Sequence, residues 1–350
     1  MTAAPAQPFA DLGRALATRA PDAAAIEAPF APLEATAHQL LPQLAALRAQ
    51  LGNTPLVPVA SRRGRGTVWL KTEAANTTGT VKARTAYALL CAAVARAGSR
   101  DIRLVEYSGG SLALALAEMC AALGIDLHLA LPHGSPDRLV HTVLRHGAQI
   151  SFGAEGTGFL GAMGEAVRVA AQQERHLLLQ HCAAEAAALH RERTGAEIVA
   201  RLTKEGVEPV ALAAAVGSGG TLVGTAQALR ATWPGCAARA VLPAEAPYAD
   251  PRPPDGARRM NGTGGLGHGL KQPLIAPYEA DFAFDGVTYP NALHAMHRLR
   301  QNEQLAVCAS GAGAWLSASR TLDEGSPGRH AVAIAAGRGT AEEWAHATGH

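Results

Sequence analysis

From about residue 55 onward, apolar runs of strand length alternate with longer segments in which apolar residues recur at helical spacing. The runs TVWLKTE, IRLVEYS, DLHLALP, AQISFGA, HLLLQHC, PVALAAAV, ARAVLPAE and HAVAIAA predict strands. Between several of them, SLALALAEMCAALG, SPDRLVHTVLRHG, GFLGAMGEAVRVAAQQ, HRERTGAEIVARL and GTLVGTAQALRAT predict helices. This alternation specifies parallel strands joined by crossover helices, an α/β architecture. In VALAAAV, residues 210–216, apolar character is continuous, so both faces of that strand are covered. In SPDRLVHTVLRHGAQI, Ser135 or Asp137 can cap a helix, Leu139, Val143 and Leu144 recur on one face, and Gly147 can end it in the left-handed conformation.

The chain has 350 residues, 48% hydrophobic and 17% charged, enough to bury the core of two domains or of one large α/β unit. Its formal charge of +2 is spread over interspersed acidic and basic residues, which points away from nucleic-acid and membrane surfaces and leaves small anionic ligands open. Cys91, Cys120, Cys182, Cys236 and Cys308 are scattered, without metal-ligand spacing; they read as small core residues of a protein in a reducing cytoplasm. The N-terminal stretch lacks a secretory signal, while Arg14 and Arg19 leave a transit peptide open; residues 1–40 read as a partly helical extension. The segment PYADPRPPDGARRMNGTGGLGHG reads as a long irregular loop, functional or mobile.

Two stretches carry chemistry. VGSGGTLVGTAQAL follows the buried strand and opens a helix: Gly217, Gly219 and Gly220 let the backbone curl so that N–H groups converge, and Ser218 and Thr221 add hydroxyls. A phosphate cradle and a plain tight turn both fit this pattern. NTTGTVKARTA places a lone amine, Lys82, where a tight turn meets a helix. By residue type it reads as a solvated helix-start lysine. Beside a phosphate cradle that lacks its own lysine, it reads as the Schiff-base residue of a pyridoxal phosphate enzyme.

Taken in order, the motifs resemble the fold-type II pyridoxal phosphate enzymes, specifically the cysteine synthase and cystathionine β-synthase branch. LGNTPLV at 51–57 is similar to the family's opening signature, KTEAANTTGTVKARTA at 71–86 to K-x-E-x-x-N-P-x-G-S-x-K-D-R, and VEYSGGSLALALA at 105–117 to E-P-T-S-G-N-T-G-x-A-L-A. LPHGSPDRLVHTVLRHGAQI, QHCAAEAAALHRERTGAEI, VGSGGTLVG and GTGGLGHG follow in the family's order, so that the resemblance spans about residues 45–340. It implies a tryptophan synthase β-like fold of two domains with parallel sheets flanked by helices. Residues 41–85 and 187–350 would form a large phosphate-binding domain and 86–186 a small mobile substrate domain, with the cofactor in the cleft.

The resemblance further implies that Lys82 is the Schiff-base lysine and that Gly217, Ser218, Gly219, Gly220 and Thr221 hold the cofactor phosphate. Ser108, Gly109, Gly110 and Gln180 would bind the substrate carboxylate, and His268, in GGLGHG, would shuttle a proton or contact the second substrate. Ser111 stands where the family has the Asn beside the cofactor's ring hydroxyl, and Gly337 where it has the Ser at the pyridine nitrogen, with Thr340 the nearest hydroxyl. E-Y-S-G-G-S resembles a divergent subgroup with E-Y-T-G-G-S. Arg84 is expected to pair with Glu106 near the domain junction, and Tyr107 to line the substrate side or to pack. The remaining histidines show no paired-ligand spacing, and no metal site is expected.

The implied activity is β-replacement or β-elimination on an amino acid such as an O-acyl or O-phospho serine. It would proceed through an aminoacrylate to a β-substituted alanine, in a role more specialised than ordinary cysteine synthesis. Partners would be the amino acid and a small nucleophile, and the enzyme would be a cytoplasmic homodimer. The other readings are a deaminating lyase of the serine/threonine dehydratase kind and a non-catalytic relative that serves as a binding or regulatory protein.

Overall fold

The computed structural model describes residues 16, 18–246, 248, 260 and 271–349. The chain separates into two compact units, one of residues 1–51 and 82–186, the other of 52–81 and 187–350. No helix among the described residues is long and apolar enough to cross a membrane.

The first unit is built on a wholly parallel four-stranded sheet, in the spatial order Gln149–Phe152, Asp126–Leu131, Arg103–Tyr107 and His176–Leu177. Helices Lys82–Ala97, Ser111–Leu123, Asp137–Arg145 and Gly158–Gln173 accompany it. The Lys82–Ala97 helix is buried along most of its length, and its Ala-rich surface admits the Ala31–Leu40 helix from the N-terminal segment. There the Tyr87 hydroxyl donates to Glu34 Oε1 at 2.9 Å and lies 2.7 Å from His38 Nε2, so a buried carboxylate keeps its partners.

Two details differ from the sequence pattern. HLLLQHC is a strand only over its first two residues, because Leu179 turns into the left-handed region and Gln180–Cys182 coils. Neither Ser135 nor Asp137 caps the following helix. Ser135 instead donates to Pro132 O at 2.8 Å in the preceding turn, and Pro136 takes the cap position. Gly147 does take positive φ, at 80°, before the next strand.

The second unit carries a six-stranded sheet ordered Leu56–Ala60, Thr67–Thr72, His330–Ala335, Pro209–Ala215, Ala237–Pro243 and Phe282–Val287. Its first pair is antiparallel and the rest are parallel. The Leu56–Ala60 and Phe282–Val287 strands lie at the two edges. Each mixes buried with exposed positions, where the central strands are buried almost throughout, and each tolerates a residue that suits an edge, Pro58 or Gly286. Trp315, Met296, Leu299 and Leu322 of the helices Tyr289–Glu303 and Ala309–Asp323 pack on the Val68, Leu70, Ala213 and Ala333 side of this sheet.

Candidate active site

In the first unit, Lys82 begins its helix and donates from Nζ to Gln180 Oε1 at 3.2 Å. Gln180 donates through Nε2 to Tyr107 O and through its main-chain N–H to Glu106 Oε2, both at 3.2 Å. Glu106, fully buried at the end of the Arg103–Tyr107 strand, also accepts the Tyr107 N–H at 3.1 Å. Loss of water around Lys82 lowers its amine to about 8, a fall that the Glu106 carboxylate opposes. Burial likewise raises Glu106 to about 8, against the main-chain donors and Lys82 that favour its charge. The result is an amine that carries its lone pair at mildly alkaline pH, the requirement for a nucleophilic or basic lysine.

The backbone is bent to achieve this. Leu179 has φ 55° and ψ 65°, a conformation that costs a side-chain-bearing residue about 1–2 kcal/mol, and it precedes the N–H that meets Glu106. Tyr107 is wholly buried, so of the two roles open to it packing is the one observed. It stacks on His181 and meets Phe159 edge-on. The carboxylate oxygens of Glu106 go to main-chain N–H groups of Tyr107 and Gln180 rather than to the Arg84 expected from sequence.

The loop before the Ser111–Leu123 helix is organised by a hydroxyl. Ser108 Oγ accepts the N–H groups of Gly110 at 3.3 Å and of Ala113 at 3.2 Å, filling from within the chain a position that an anion's oxygen takes at a helix mouth. Gly109 is needed for fit: a Cβ there would lie 3.0 Å from Pro132 Cγ. Ser111 is exposed at the helix start.

In the second unit the glycine-rich turn joins the Pro209–Ala215 strand to the Gly220–Thr232 helix. Gly219 has φ +96°, and a Cβ on it would meet Ile275 Cγ1 at 2.7 Å, so conformation and space both demand glycine. Thr221 Oγ1 lies 3.1 Å from Nε2 of the fully buried His190, whose Nδ1 is 2.9 Å from Thr194 Oγ1. Main-chain donors at a helix mouth, hydroxyls at Ser218 and Thr221, and a left-handed glycine form a donor set that fits a phosphate ester. The half-buried Lys82 amine, lowered to about 8, fits an aldehyde.

A buried polar network holds the segment that leads to Lys82. Thr54 donates to Glu73 Oε1 and Asn76 Nδ2 to Glu73 Oε2, each at 2.7 Å, and Gly52 N–H donates to Asn76 Oδ1 at 3.2 Å. Lys71 Nζ is 2.6 Å from Glu197 Oε2 and 2.7 Å from Thr54 O. Thr80 pairs with Gly337 across the chain, where a Cβ on Gly337 would lie 3.1 Å from Thr80 Cγ2. The Thr80 methyl thus stands against the place a side chain at 337 would use. Thr340 serves elsewhere, as the N-cap of the Ala341–Thr348 helix in a capping box with Glu343.

Lys82, Gln180 and Ser108–Ser111 therefore fall in the first unit, and Gly217–Thr221 and Gly337 in the second. His268 lies outside the described residues. Sequence reasoning passed over Glu106 and His190 as functional neighbours. Their signal is burial of a titratable group, which residue type does not reveal. Burial also pushes the thiols of Cys91, Cys182 and Cys236 up to about 12, in keeping with core cysteines.

A model of the family described as pyridoxal-phosphate dependent enzyme matches residues 47–337. A probable cysteine synthase of Bacillus subtilis is 26% identical over 299 residues, which cover 83% of this chain and 93% of that protein. Among solved structures, O-ureido-L-serine synthase superposes with a TM-score of 0.75 at 20% identity, covering 85% of this chain and 92% of that one. A hydrogen sulfide-producing enzyme from Fusobacterium nucleatum does so with 0.75 at 20% identity, covering 85% and 89%. At these identities the structures speak for the fold.

Proposed function

This chain belongs to the family of pyridoxal-phosphate dependent enzymes, and we propose from that premise that it catalyses β-replacement or β-elimination on a serine carrying an O-acyl or O-phospho leaving group. Bound pyridoxal phosphate supplies an electron sink for the pair released when the substrate Cα–H bond breaks. The observation that carries the reading is the Lys82 amine: half-buried, opening a helix, lowered to about 8 by loss of water and held by Gln180.

In this reading Lys82 is the residue that would hold the cofactor through its aldehyde, and its Nζ takes the substrate's Cα proton and, in replacement, returns it to Cα. Gln180 orients that amine through Oε1, its own amide fixed by the donation from Nε2 to Tyr107 O. The N–H groups of Ser108, Gly109 and Gly110 receive the substrate carboxylate, with Gly110 exchanging its bond to Ser108 Oγ for one to substrate. Gly217–Thr221 grip the phosphate, and Ser111 serves the ring hydroxyl.

The B. subtilis relative, named as a probable cysteine synthase, supports this class of amino-acid chemistry. The departures at Ser111 and Gly337 favour a specialised reaction over ordinary cysteine synthesis. Residues 41–85 and 187–350 are assigned to phosphate binding and 86–186 to substrate, in a cytoplasmic homodimer.

Borohydride reduction of cofactor-saturated protein, followed by peptide mapping, should leave a pyridoxyl group on Lys82; a label found only elsewhere ends this reading. Incubation with O-acetylserine, O-phosphoserine, serine and threonine, with and without a thiol, should release acetate or phosphate fastest. Keto acid formed from threonine in preference to all of these would replace it with a deaminating lyase.

A further inference from the structure

The carboxyl of Glu106 has no part in the reaction as derived above, yet it is fully buried and is held by main-chain donors on both flanks. Surface chemistry cannot account for it, and a buried acid that only filled space would be better served by a glutamine or a leucine. Three features tie it to Lys82. Its Oε2 accepts the N–H of Gln180, the residue whose Oε1 accepts from Lys82 Nζ. The left-handed Leu179 immediately precedes that N–H. Tyr107 O, next along the strand, holds the other end of the Gln180 amide.

We infer that Glu106 is a positioning residue for Lys82: it holds Gln180 against the amine and keeps a carboxyl in the same buried pocket, so that the basicity of Lys82 is set jointly by burial and by this acid. The inference rests on the functional reading only in calling Lys82 the reactive amine.

The two groups are joined through Gln180, and each feels the other's charge. Lys82 protonated with Glu106 ionised, and Lys82 neutral with Glu106 protonated, carry the same net charge, so either state can be buried without adding charge to the pocket. Taking the substrate Cα proton on Nζ beside an anion requires Lys82 neutral with Glu106 ionised, a state one proton poorer than either of these, and the proton so taken brings the pair to zero net charge until it is returned. The other titratable groups facing the pair within this unit are Tyr107, whose hydroxyl burial pushes far up, His181, which burial and Lys82 hold near 3, and Cys182, which burial holds near 12. All three are neutral between pH 6 and 9, the range in which Lys82 and Glu106 titrate. Arg84, buried on the same helix as Lys82, stays cationic throughout.

The test is the basicity of Lys82 in the full-length chain after hydroxylamine removal of cofactor, read from the pH dependence of Lys82 acylation by mass mapping. In Glu106→Gln the Lys82 value should fall by about one unit or more, since the carboxylate that favours the ammonium is gone. A rise toward the ordinary lysine value of 10.5 would mean that Glu106 merely keeps water out, and no change would mean that it is electrically irrelevant; either overturns the inference. Should Glu106→Gln fail to fold, the reciprocal measurement decides. Carboxyl-labelled wild type should show one glutamate titrating near 8 by carbon NMR, and Lys82→Met should move it upward. Absence of any such high-titrating glutamate, or its indifference to Lys82→Met, also overturns the inference. Because these titrations need neither cofactor nor substrate, they can succeed where borohydride fails to label Lys82, and the reverse.

Discussion

The hydroxyl of Tyr107 lies 2.6 Å from Nδ1 of His181, and the two rings stack at 13° with centroids 5.5 Å apart. Burial first, and the Lys82 charge second, lower His181 to about 3, so the imidazole that shares this hydrogen bond with Tyr107 is neutral. The folded value is depressed below the 6.5 of an unfolded histidine, so the unfolded chain binds the extra proton between about pH 6.5 and 3. Stability contributed by neutral His181 is full above 6.5 and is lost as pH falls through that window, at up to about 1.4 kcal/mol per pH unit. Urea midpoints between pH 7 and 4 should fall more steeply for wild type than for His181→Gln. Tyr107→Phe, which leaves a buried Nδ1 without its hydrogen-bond partner, should cost about 1–3 kcal/mol at pH 7.

Lys71 is 1% exposed, and its ammonium is held by Glu197 and the Thr54 carbonyl. Removing the carboxylate takes a charged partner from a buried cation, so Glu197→Ala should cost about 3 kcal/mol. Lys71→Met keeps the volume and leaves only a partly exposed glutamate behind, and it should cost less. Equal losses in denaturant titrations of the two variants would show that packing, not charge, dominates at this site.

What was legible in the sequence follows from how each feature is encoded. VALAAAV read as a covered strand because an unbroken apolar run of strand length has no face to offer water, and the Pro209–Ala215 strand is buried on both faces as that requires. The turn around Gly219 was legible because three glycines in four residues before a helical pattern leave little but a curled backbone. HLLLQHC misled because its apolar run is as good as any strand's. Its path is decided instead at Leu179, by Glu106 drawing in the N–H of Gln180, a contact 74 residues away along the chain. Glu106 itself was read as half of a pair with Arg84 near the domain junction, since nothing in E-Y-S-G-G-S announces that its carboxylate is wholly buried. The Gly337 departure became interpretable only once the Thr80 methyl was seen to stand against it.

Gly219→Ala should separate phosphate binding from folding. At φ +96° an alanine is strained, and its Cβ would press on Ile275 Cγ1 at 2.7 Å, so the turn must open. We expect a stability loss of about 1–3 kcal/mol. Dispersal of the converged N–H groups should weaken cofactor affinity at least about tenfold, measured by fluorescence titration of cofactor-stripped protein. Unchanged affinity in a folded variant would move the phosphate away from this loop.

Gly337→Ser restores the residue type that the family resemblance leads one to expect, and the structure predicts that alone it does harm. Its Cβ would sit 3.1 Å from Thr80 Cγ2 and 3.3 Å from Gly79 O, against the turn that ends at Lys82. Crowding of this kind costs about 1–3 kcal/mol where the neighbour cannot yield. Thr80→Ser deletes the offending methyl, so Gly337→Ser with Thr80→Ser should recover most of the loss that Gly337→Ser causes by itself. The two substitutions should therefore be coupled by about 1 kcal/mol in a double-mutant cycle of thermal or urea unfolding. Additive effects would place the two side chains out of contact and leave the glycine at 337 to be explained by its backbone alone.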